Sequence, residues 1–548
     1  MFAGPPPIHR APHRPALVAR RGGRLAAATL LAASALSQPL SAAEPAAEPA
    51  AEPAAAAPAE PTTELVISAE VGADAALHLT YAPPAGVRRL RFLGPVDSHR
   101  VFRAAHLESV DNCAQLSATV MTLRNDPACA VARFKVLPLL LARDRSYEAA
   151  QPLGDAQGVM LYTGHYIAAA SGHALRWRWR APAEGYVLHD GRLVRGELSQ
   201  KFSADLVQAA LEAKSAATRH ATSAELGGHE YVLLAKAPAD QVTPAALLVH
   251  DPAVNPPHVA QARAVLALSL ASLVAAYGVL PAGPVAAVLV GSDRAGFHGD
   301  VAGRTLRLRV SGTGAVAAAF PEFIAHEVVH WWNSGVFRSD QGSPWLQEGH
   351  AEWASLVLLR EAGVVDAAAS RTRLEAGINR CRRSQGQDSY ACGMSLMALA
   401  QAQQQQRRLR GDGRSALALL ASLHGGLLDG EPNGRQNGAP RGGPGEDRPL
   451  DSKRFALWAD GDAPGPMHRL VGGEPSGFVD LFDAELLRMK LVDLVRVSAC
   501  AAASTLLAGG PDGRPVTLPC PQRWPDPPHD RLAVLRADAL PRLGLRDD

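Results

Sequence analysis

The sequence HEVVHWWNSG, which begins at His326, places two histidines four positions apart and so constrains the local fold. A helix brings side chains at this spacing onto one face, one turn apart. Pro321 suits the first turn of such a helix, and Gly335 suits its end. On this helix His326 and His330 can reach a single metal ion together, while Glu327 can project toward a water molecule on that ion.

A second segment, SPWLQEGHAEW, offers a carboxylate for the same site. Ser343 can cap a helix and Pro344 can open it, which places Glu348 one turn inside. A zinc site that hydrolyses its substrate needs three protein ligands and one open position for water. Glu348 completes that set. Glu352, one turn further on, can receive the free ring N–H of a ligand histidine; the alternative for Glu352 is an ordinary solvated helix position.

Tyr390, in the sequence SYACG, begins the next predicted helix. A phenol near the metal can donate a hydrogen bond to the oxyanion that forms when water attacks a carbonyl group. Tyr390 lies between Cys381 and Cys392, and a disulfide between these cysteines would close a short loop that holds the tyrosine. The alternative is a tyrosine of the core or the surface without a catalytic role.

The order HEVVH, WLQEG and YACG resembles the HExxH…WLxEG…YxKG order of gluzincin metallopeptidases of the aminopeptidase N and glycyl aminopeptidase clan, of which this chain would be a divergent member. The resemblance covers about residues 245–425. It implies an α+β multidomain protein, with an N-terminal β-sandwich-like domain, a thermolysin-like zincin catalytic domain and a helical C-terminal region.

The resemblance also implies the chemistry of a zinc metallopeptidase, a hydrolase that acts on peptide or protein substrates. One Zn²⁺ ion would be held by His326, His330 and Glu348, with Glu327 as the general base and Tyr390 as the oxyanion donor. Two histidines and one glutamate favour zinc over other divalent ions.

Two departures from the family pattern concern specificity. These families usually carry a GxMEN or GGLEH-like strand before HExxH, and its glutamate holds the free amine of the substrate. Here the window reads GDVAGRTLRLRV from Gly299, without a glutamate, and Cys392 replaces the lysine of YxKG. A free α-amine without a carboxylate partner would bind poorly. The alternatives are therefore an endopeptidase or amidase on the same site, and a periplasmic binding or scaffold protein that keeps zinc without turnover.

The first sixty residues predict export rather than a folded element. Five arginines precede the apolar run LAAATLLAASAL, and small residues at 41–43 suit a signal peptidase. The run has 12 residues, too few to cross a bilayer as a mature helix. We expect cleavage near Ala43 and a periplasmic or secreted protein without a stable membrane anchor. The remaining chain would carry a net charge of about −3, which argues against a nucleic-acid partner.

Six cysteines fit an exported protein, because an even number at short separations is typical of an oxidising compartment. The three local pairs are Cys113 with Cys129, Cys381 with Cys392, and Cys500 with Cys520. Since spacing does not determine connectivity, six reduced cysteines remain the alternative.

With 548 residues the chain is too long for one core, and its patterns divide it into segments. Alternation of apolar and polar residues with a period of two favours strands in residues 63–244, and apolar helical periodicity dominates residues 245–425. Stretches rich in Ala, Pro and Glu or in Gly and Pro lie outside these two segments. The predicted segments are a signal peptide at 1–43, a linker at 44–62, a β-rich N-terminal domain at 63–244, a gluzincin catalytic domain at 245–425, a flexible Gly/Pro loop at 426–450 and a mostly helical region at 451–548.

Overall fold

The computed structural model describes residues 63–94, 106–137, 150–154, 157–278, 281, 283–292, 296–311, 316–336, 343–408, 415–425, 450–460, 465–472, 477–496, 505–509, 515–519 and 531–545. These residues belong to one compact unit that extends from Glu60 to Asp548. The predicted signal peptide, the linker and the Gly/Pro loop up to residue 449 lie outside the described residues, as does the pair Cys500–Cys520.

Alternating burial shapes the strands of the first part of the chain. In the strand Ala174–Arg180, Leu175, Trp177 and Trp179 are buried, while the residues between them are more exposed. The two indole rings stack with their centroids 4.5 Å apart. This period of two is the pattern from which the sequence predicts a β-rich segment.

The strands and helices up to residue 250 form several sheets with a pair of short helices. The strands are β1 Glu64–Val71, β2 Leu77–Ala82, β3 Arg89–Phe92, β4 Leu107–Ser109, β5 Ala114–Leu116, β6 Val120–Leu123, β7 Ala132–Val136, β8 Ala150–Pro152, β9 Gly158–Tyr162, β10 Ala168–Ala169, β11 Ala174–Arg180, β12 Tyr186–His189, β13 Arg192–Arg195, β14 Glu197–Phe202, β15 Tyr231–Ala235, β16 Ala239–Thr243 and β17 Ala246–His250. The helices are α1 Ala204–Glu212 and α2 Ala216–Glu225. Three sheets have the orders β14-β11-β1-β2-β7-β4, β10-β3-β6-β5 and β13-β12-β15-β9-β8. The β-sandwich-like arrangement and the domain boundaries remain predictions.

A mixed sheet begins with β16 and β17 and supports the candidate site. Its other strands are β18 Val285–Ser292, β19 Phe297–Ala302 and β20 Thr305–Ser311, in the order β16-β17-β18-β20-β19. Strand β18 pairs in parallel with both neighbours and is buried over six successive residues, as expected for a central strand. Strand β19 pairs antiparallel with β20 at the edge of the sheet.

Helices dominate the chain after this sheet and bury their apolar faces in one core. The first of them, α3 Pro256–Tyr277, lies between β17 and β18 in the chain. The others follow the sheet and share this core with α3: α4 Phe320–His330, α5 Pro344–Glu361, α6 Ala367–Arg383, α7 Ser389–Arg408 and α8 Ala416–Gly425. Helix α3 is long and apolar enough to cross a membrane by length and composition alone. It contributes Val265, Leu270 and Leu273 to the same hydrophobic core as α4 and α5, which is the environment of a core helix.

The last part of the chain is mixed, whereas the sequence predicts a mostly helical region. Its helices are α9 Ser452–Asp460, α10 Pro466–Gly472, α11 Phe478–Arg488 and α12 Ala539–Arg542. Its strands are β21 Val492–Arg496, β22 Thr505–Gly509, β23 Pro515–Pro519 and β24 Arg531–Leu535, paired as β21 with β24 and β22 with β23. Because these strands are only five residues long, the helical periodicity of the surrounding residues dominates the pattern, and the sequence does not predict the strands.

Candidate active site

Helix α4 carries the two histidines on one buried face. Pro321 lies in its first turn, where the missing N–H costs no helical hydrogen bond, and the α-helix ends at His330. A π-helical turn, Trp331–Val336, follows directly. The Nε2 atoms of His326 and His330 lie 3.2 Å apart, and each histidine is less than 10% exposed.

Helix α5 brings Glu348 against these imidazoles. Pro344 occupies its first turn, as the sequence predicts. Ser343 takes the N-cap position but makes no capping hydrogen bond; its hydroxyl lies 3.1 Å from that of Ser452. Glu348 Oε2 lies 3.4 Å from His326 Nε2 and 3.6 Å from His330 Nε2.

The spacing of these three atoms suits a tetrahedral metal ion. Zinc bonds of about 2.0–2.1 Å at the tetrahedral angle separate ligand atoms by roughly 3.4 Å. The three observed separations are 3.2, 3.4 and 3.6 Å. Among the described residues this trio is the group whose His, Cys, Asp or Glu atoms converge closely enough to hold an ion. Its chemistry, two imidazoles and one carboxylate, fits zinc.

The electrostatics of the trio favour a cation between the side chains. Burial by itself would lower the pKa of His330, but its contact with Glu348 and the charge of Glu327 outweigh burial and raise that pKa to about 9. Burial likewise opposes ionisation of Glu348, yet the two histidines hold the pKa of its carboxyl far below the ordinary value. A positive charge is therefore stabilised at this point even without a metal.

Glu327 projects toward strand β19 beside the trio. The residue is 8% exposed, and burial raises the pKa of its carboxyl, with His326 and His330 opposing the rise. A Cβ atom at Gly299 of β19 would lie 2.3 Å from Glu327 Cδ and 2.6 Å from Oε1. The carboxylate thus occupies space that only a glycine leaves open. The sequence contains this glycine as the first residue of GDVAGRTLRLRV, but nothing local indicates the contact.

Glu352 lies on the far side of His326 from Glu348. Its Oε1 is 3.6 Å from His326 Nδ1, which is longer than a hydrogen bond. Arg373 Nη2 of α6 donates to Glu352 Oε2 at 2.7 Å, and the same guanidinium pairs with Glu322 of α4. Arg373 therefore joins α4, α5 and α6, and Glu352 contacts this guanidinium while it faces the histidine. Burial lowers the pKa of Arg373 to about 10, with Arg380 adding to the effect.

Tyr390 stands at the start of α7 with its ring over His326. The two ring centroids are 6.0 Å apart and the planes are inclined by 20°. The tyrosine is 42% exposed, and its hydroxyl interacts with the carboxylate of Glu348. Burial of the remainder raises its pKa, and the carboxylates of Glu348 and Glu327 raise it further. A disulfide between Cys381 and Cys392 joins α6 to this turn of α7. A second disulfide links Cys113 and Cys129.

Helices α5 and α7 cross at two glycines next to the site. A Cβ atom at Gly349 would lie 2.2 Å from both Cα and C of Gly393. At Gly393 it would lie 2.3 Å from the carbonyl oxygen of Trp345. Gly349 follows Glu348 directly, and Gly393 lies one turn after Tyr390. The final glycines of WLQEG and YACG thus allow the backbones to approach, and no local pattern in the sequence indicates this contact.

Neither a protein-family model nor a curated protein sequence matches the chain. Among solved structures, it is similar to an aminopeptidase N family protein from Idiomarina loihiensis, with a TM-score of 0.52 and 13% identity over 79% of each chain. An M1 zinc metallopeptidase from Deinococcus radiodurans aligns with a TM-score of 0.39 and 12% identity over 77% of this chain and 92% of that one, which is too distant to carry an argument. At 13% identity, the first similarity shows a shared fold, so the activity has to be argued from the site.

Proposed function

We propose that this protein is a zinc-dependent metallopeptidase that hydrolyses peptide bonds with a metal-activated water. The observation that supports it most directly is the convergence of His326, His330 and Glu348, whose ligand atoms lie within 4.8 Å of one another. The buried carboxylate of Glu327 next to this trio supplies a base at the same place. The shared fold with an aminopeptidase N family protein agrees with such an activity.

The side chains divide the reaction between them. When bound, zinc lowers the pKa of a coordinated water and polarises the scissile carbonyl. Glu327 accepts a proton from the attacking water and passes it to the leaving amine, and its raised pKa brings it closer to the working pH. Tyr390 donates a hydrogen bond from its phenol to the oxyanion. The raised pKa of that phenol keeps it protonated at neutral pH.

The surroundings of Asp300 favour an endopeptidase or amidase over an aminopeptidase. Asp300 is the carboxylate that strand β19 carries in the window where related enzymes hold the substrate amine. It is 7% exposed and accepts hydrogen bonds from Tyr231 at 2.7 Å and from Arg307 Nη2 at 2.7 Å. Because Arg307 neutralises this charge, Asp300 is a poor partner for a free α-amine. We therefore infer that substrates are cleaved without a requirement for a free N-terminus.

The catalytic proposal is tested with Glu327→Gln. This variant retains the shape of the side chain and removes the base, so we expect normal zinc content by elemental analysis and a loss of kcat of at least about 100-fold. Glu485→Gln is the matched control, since Glu485 is 5% exposed and pairs with Arg488 away from the site. Full activity of Glu327→Gln would exclude Glu327 as the general base.

Specificity is tested with peptide pairs that have free or acetylated N-termini. An endopeptidase or amidase cleaves both sets, whereas an aminopeptidase rejects the acetylated one. A zinc-loaded protein that cleaves neither set, nor any member of a mixed peptide library, would instead be a binding or scaffold protein.

Export to the periplasm or the medium is part of the same proposal. The disulfides Cys113–Cys129 and Cys381–Cys392 are consistent with an extracellular location. Mass spectrometry of the exported protein should find a new N-terminus near Glu44, the residue after Ala43. An intact Met1 on the exported form would contradict the cleavage.

A further inference from the structure

Asn333 lies in the π-helical turn after His330, where its amide contacts both ligand-bearing helices. The side chain is 1% exposed. Its Oδ1 lies 3.0 Å from His330 Nδ1, and its Nδ2 donates to the backbone carbonyl of Gln347 at 2.7 Å. Gln347 directly precedes Glu348. The buried amide of Asn333 therefore contacts one candidate metal ligand, His330, and the residue that precedes a second one, Glu348.

The orientation of this amide follows from the carbonyl of Gln347. A carbonyl oxygen accepts hydrogen bonds and cannot donate, so the group 2.7 Å from it must be the NH₂ of Asn333. The other end of the amide, Oδ1, then faces His330 Nδ1. Because Oδ1 also only accepts, Nδ1 must carry the ring proton.

The tautomer of His330 in its neutral, metal-binding form is thereby determined. A neutral imidazole has one protonated nitrogen and one with a free lone pair. With the proton on Nδ1, the lone pair lies on Nε2, the atom 3.2 Å from His326 Nε2 and 3.6 Å from Glu348 Oε2. The nitrogen that faces the metal position is the one able to bind a metal.

A second buried histidine lies on the other side of the amide. His350 Nδ1 is 3.3 Å from Asn333 Nδ2, and His350 Nε2 is 2.7 Å from the hydroxyl of Tyr277. With the NH₂ of Asn333 directed this way, His350 Nδ1 accepts and its Nε2 carries the proton toward Tyr277. The chain of hydrogen bonds from α4 through α5 to α3 is consistent with one orientation of the amide.

We propose that Asn333 is a positioning residue that holds His330 in the tautomer required for metal binding. The proposal rests on the metal site of the proposed function, but not on turnover. The backbone of the ligand-bearing helix α5 sets the orientation of Asn333, and Asn333 sets the proton on His330. Hydrogen-bond partners of metal-binding histidines typically contribute about 10–100-fold in metal affinity.

Zinc affinity, measured by competition with a chromophoric chelator, tests the proposal. Asn333→Leu has a similar volume and removes the acceptor, so we expect zinc to bind about 10–100-fold more weakly. Asn333→Asp keeps an acceptor at His330 Nδ1 but loses the donor to the Gln347 carbonyl, so we expect its zinc affinity to lie between that of Asn333→Leu and that of the unchanged protein. Asn379→Leu is the matched control: Asn379 is 7% exposed and bonds to the backbone of Glu375 and Ala533, away from the trio.

The outcomes separate positioning from general damage. Unchanged zinc affinity in Asn333→Leu would overturn the proposal. Equal losses in Asn333→Leu and Asn333→Asp would also overturn it, because the acceptor would then not matter, and so would an equal loss in Asn379→Leu. Chelator competition needs no substrate. A protein that binds zinc but cleaves no peptide would therefore disprove the peptidase without affecting this test.

Discussion

The contact between Gly349 and Gly393 makes a sharp prediction, because a single methyl group enters a space between two helix backbones. In Gly349→Ala the new Cβ would lie 2.2 Å from Cα and C of Gly393, whereas nonbonded carbon atoms prefer about 3.5–4.0 Å. Helices α5 and α7 must then separate by at least about 1.3 Å. The displaced turn of α5 contains Glu348, and the facing turn of α7 contains Tyr390.

Two opposing terms determine the stability of Gly349→Ala. Replacing a helical glycine by alanine stabilises a helix by about 0.8–1 kcal/mol. Overpacking a close contact costs typically about 1–3 kcal/mol. Because the contacted atoms are backbone atoms, we take the upper end of that range and expect a net loss of about 2 kcal/mol in the free energy of unfolding, which a protein with about 5–15 kcal/mol tolerates. Activity is more sensitive, since a misplacement of about 1 Å at a catalytic group can reduce the rate about 100-fold.

Urea unfolding, zinc affinity and kcat/KM measure these effects together. Gly472→Ala is the matched control, because Gly472 is a helical glycine of α10 whose added Cβ would meet nothing within 4 Å. We expect Gly472→Ala to be neutral or slightly stabilising in urea unfolding and unchanged in zinc affinity and kcat/KM. In Gly349→Ala, we expect kcat/KM to fall about 100-fold while the protein stays folded. A kcat/KM close to that of the unchanged protein would refute the idea that this crossing sets the distance between Glu348 and Tyr390.

Three further predictions concern single side chains. Tyr390→Phe should reduce kcat by about 100- to 1000-fold without changing zinc content, because it removes an oxyanion donor and no ligand; an unchanged kcat in a steady-state assay would exclude that role. Gly299→Ala should displace the Glu327 carboxylate, whose Cδ would lie 2.3 Å from the new Cβ, so kcat should fall about 100-fold with little loss of stability in urea; normal kcat would show that Glu327 works from another position. Burial, with a contribution from His220, lowers the pKa of His229 from 6.5 to about 4. Between these pH values the unfolded chain therefore binds a proton at this histidine that the folded chain does not bind. The free energy of unfolding should therefore fall by up to about 3 kcal/mol on acidification from pH 7 to 4, and His229→Asn, which keeps an acceptor for the hydroxyl of Tyr162, should flatten this slope in urea titrations; an identical slope would exclude His229 as its source.

The parts of the site that the sequence predicts are those with local causes. His326 and His330 face the same way because they are one helical turn apart, and Glu348 requires only that a second helix begins at Pro344. The sequence does not predict the contacts between distant segments. No periodicity indicates that Gly393 meets Gly349, because both residues also suit an ordinary helix surface or end.

The strands show the same division between local and long-range causes. Alternation over seven residues predicts β11, but β19 lies at an edge and contains Gly299, so its sequence resembles a loop. Its pairing with β20 is a local hairpin with a two-residue connection, whereas its contact with Glu327 of α4 joins segments that are distant in the chain. The short strands β21 and β24 were missed for a related reason, since the segments that pair are far apart in the chain.

Glycines at these contacts explain how the site can be precise without a large number of dedicated hydrogen bonds. The side chain of Glu327 rests on the backbone of β19, and helices α5 and α7 meet at the backbones of Gly349 and Gly393. These parts of the site are therefore positioned by main-chain geometry rather than by side-chain rotamers. Backbone atoms in a packed sheet or helix move less than side-chain ends, and close-packed interiors transmit small displacements. Productive catalysis requires groups held within about 0.5 Å. A methyl group at any of these glycines is therefore expected to disturb function before stability.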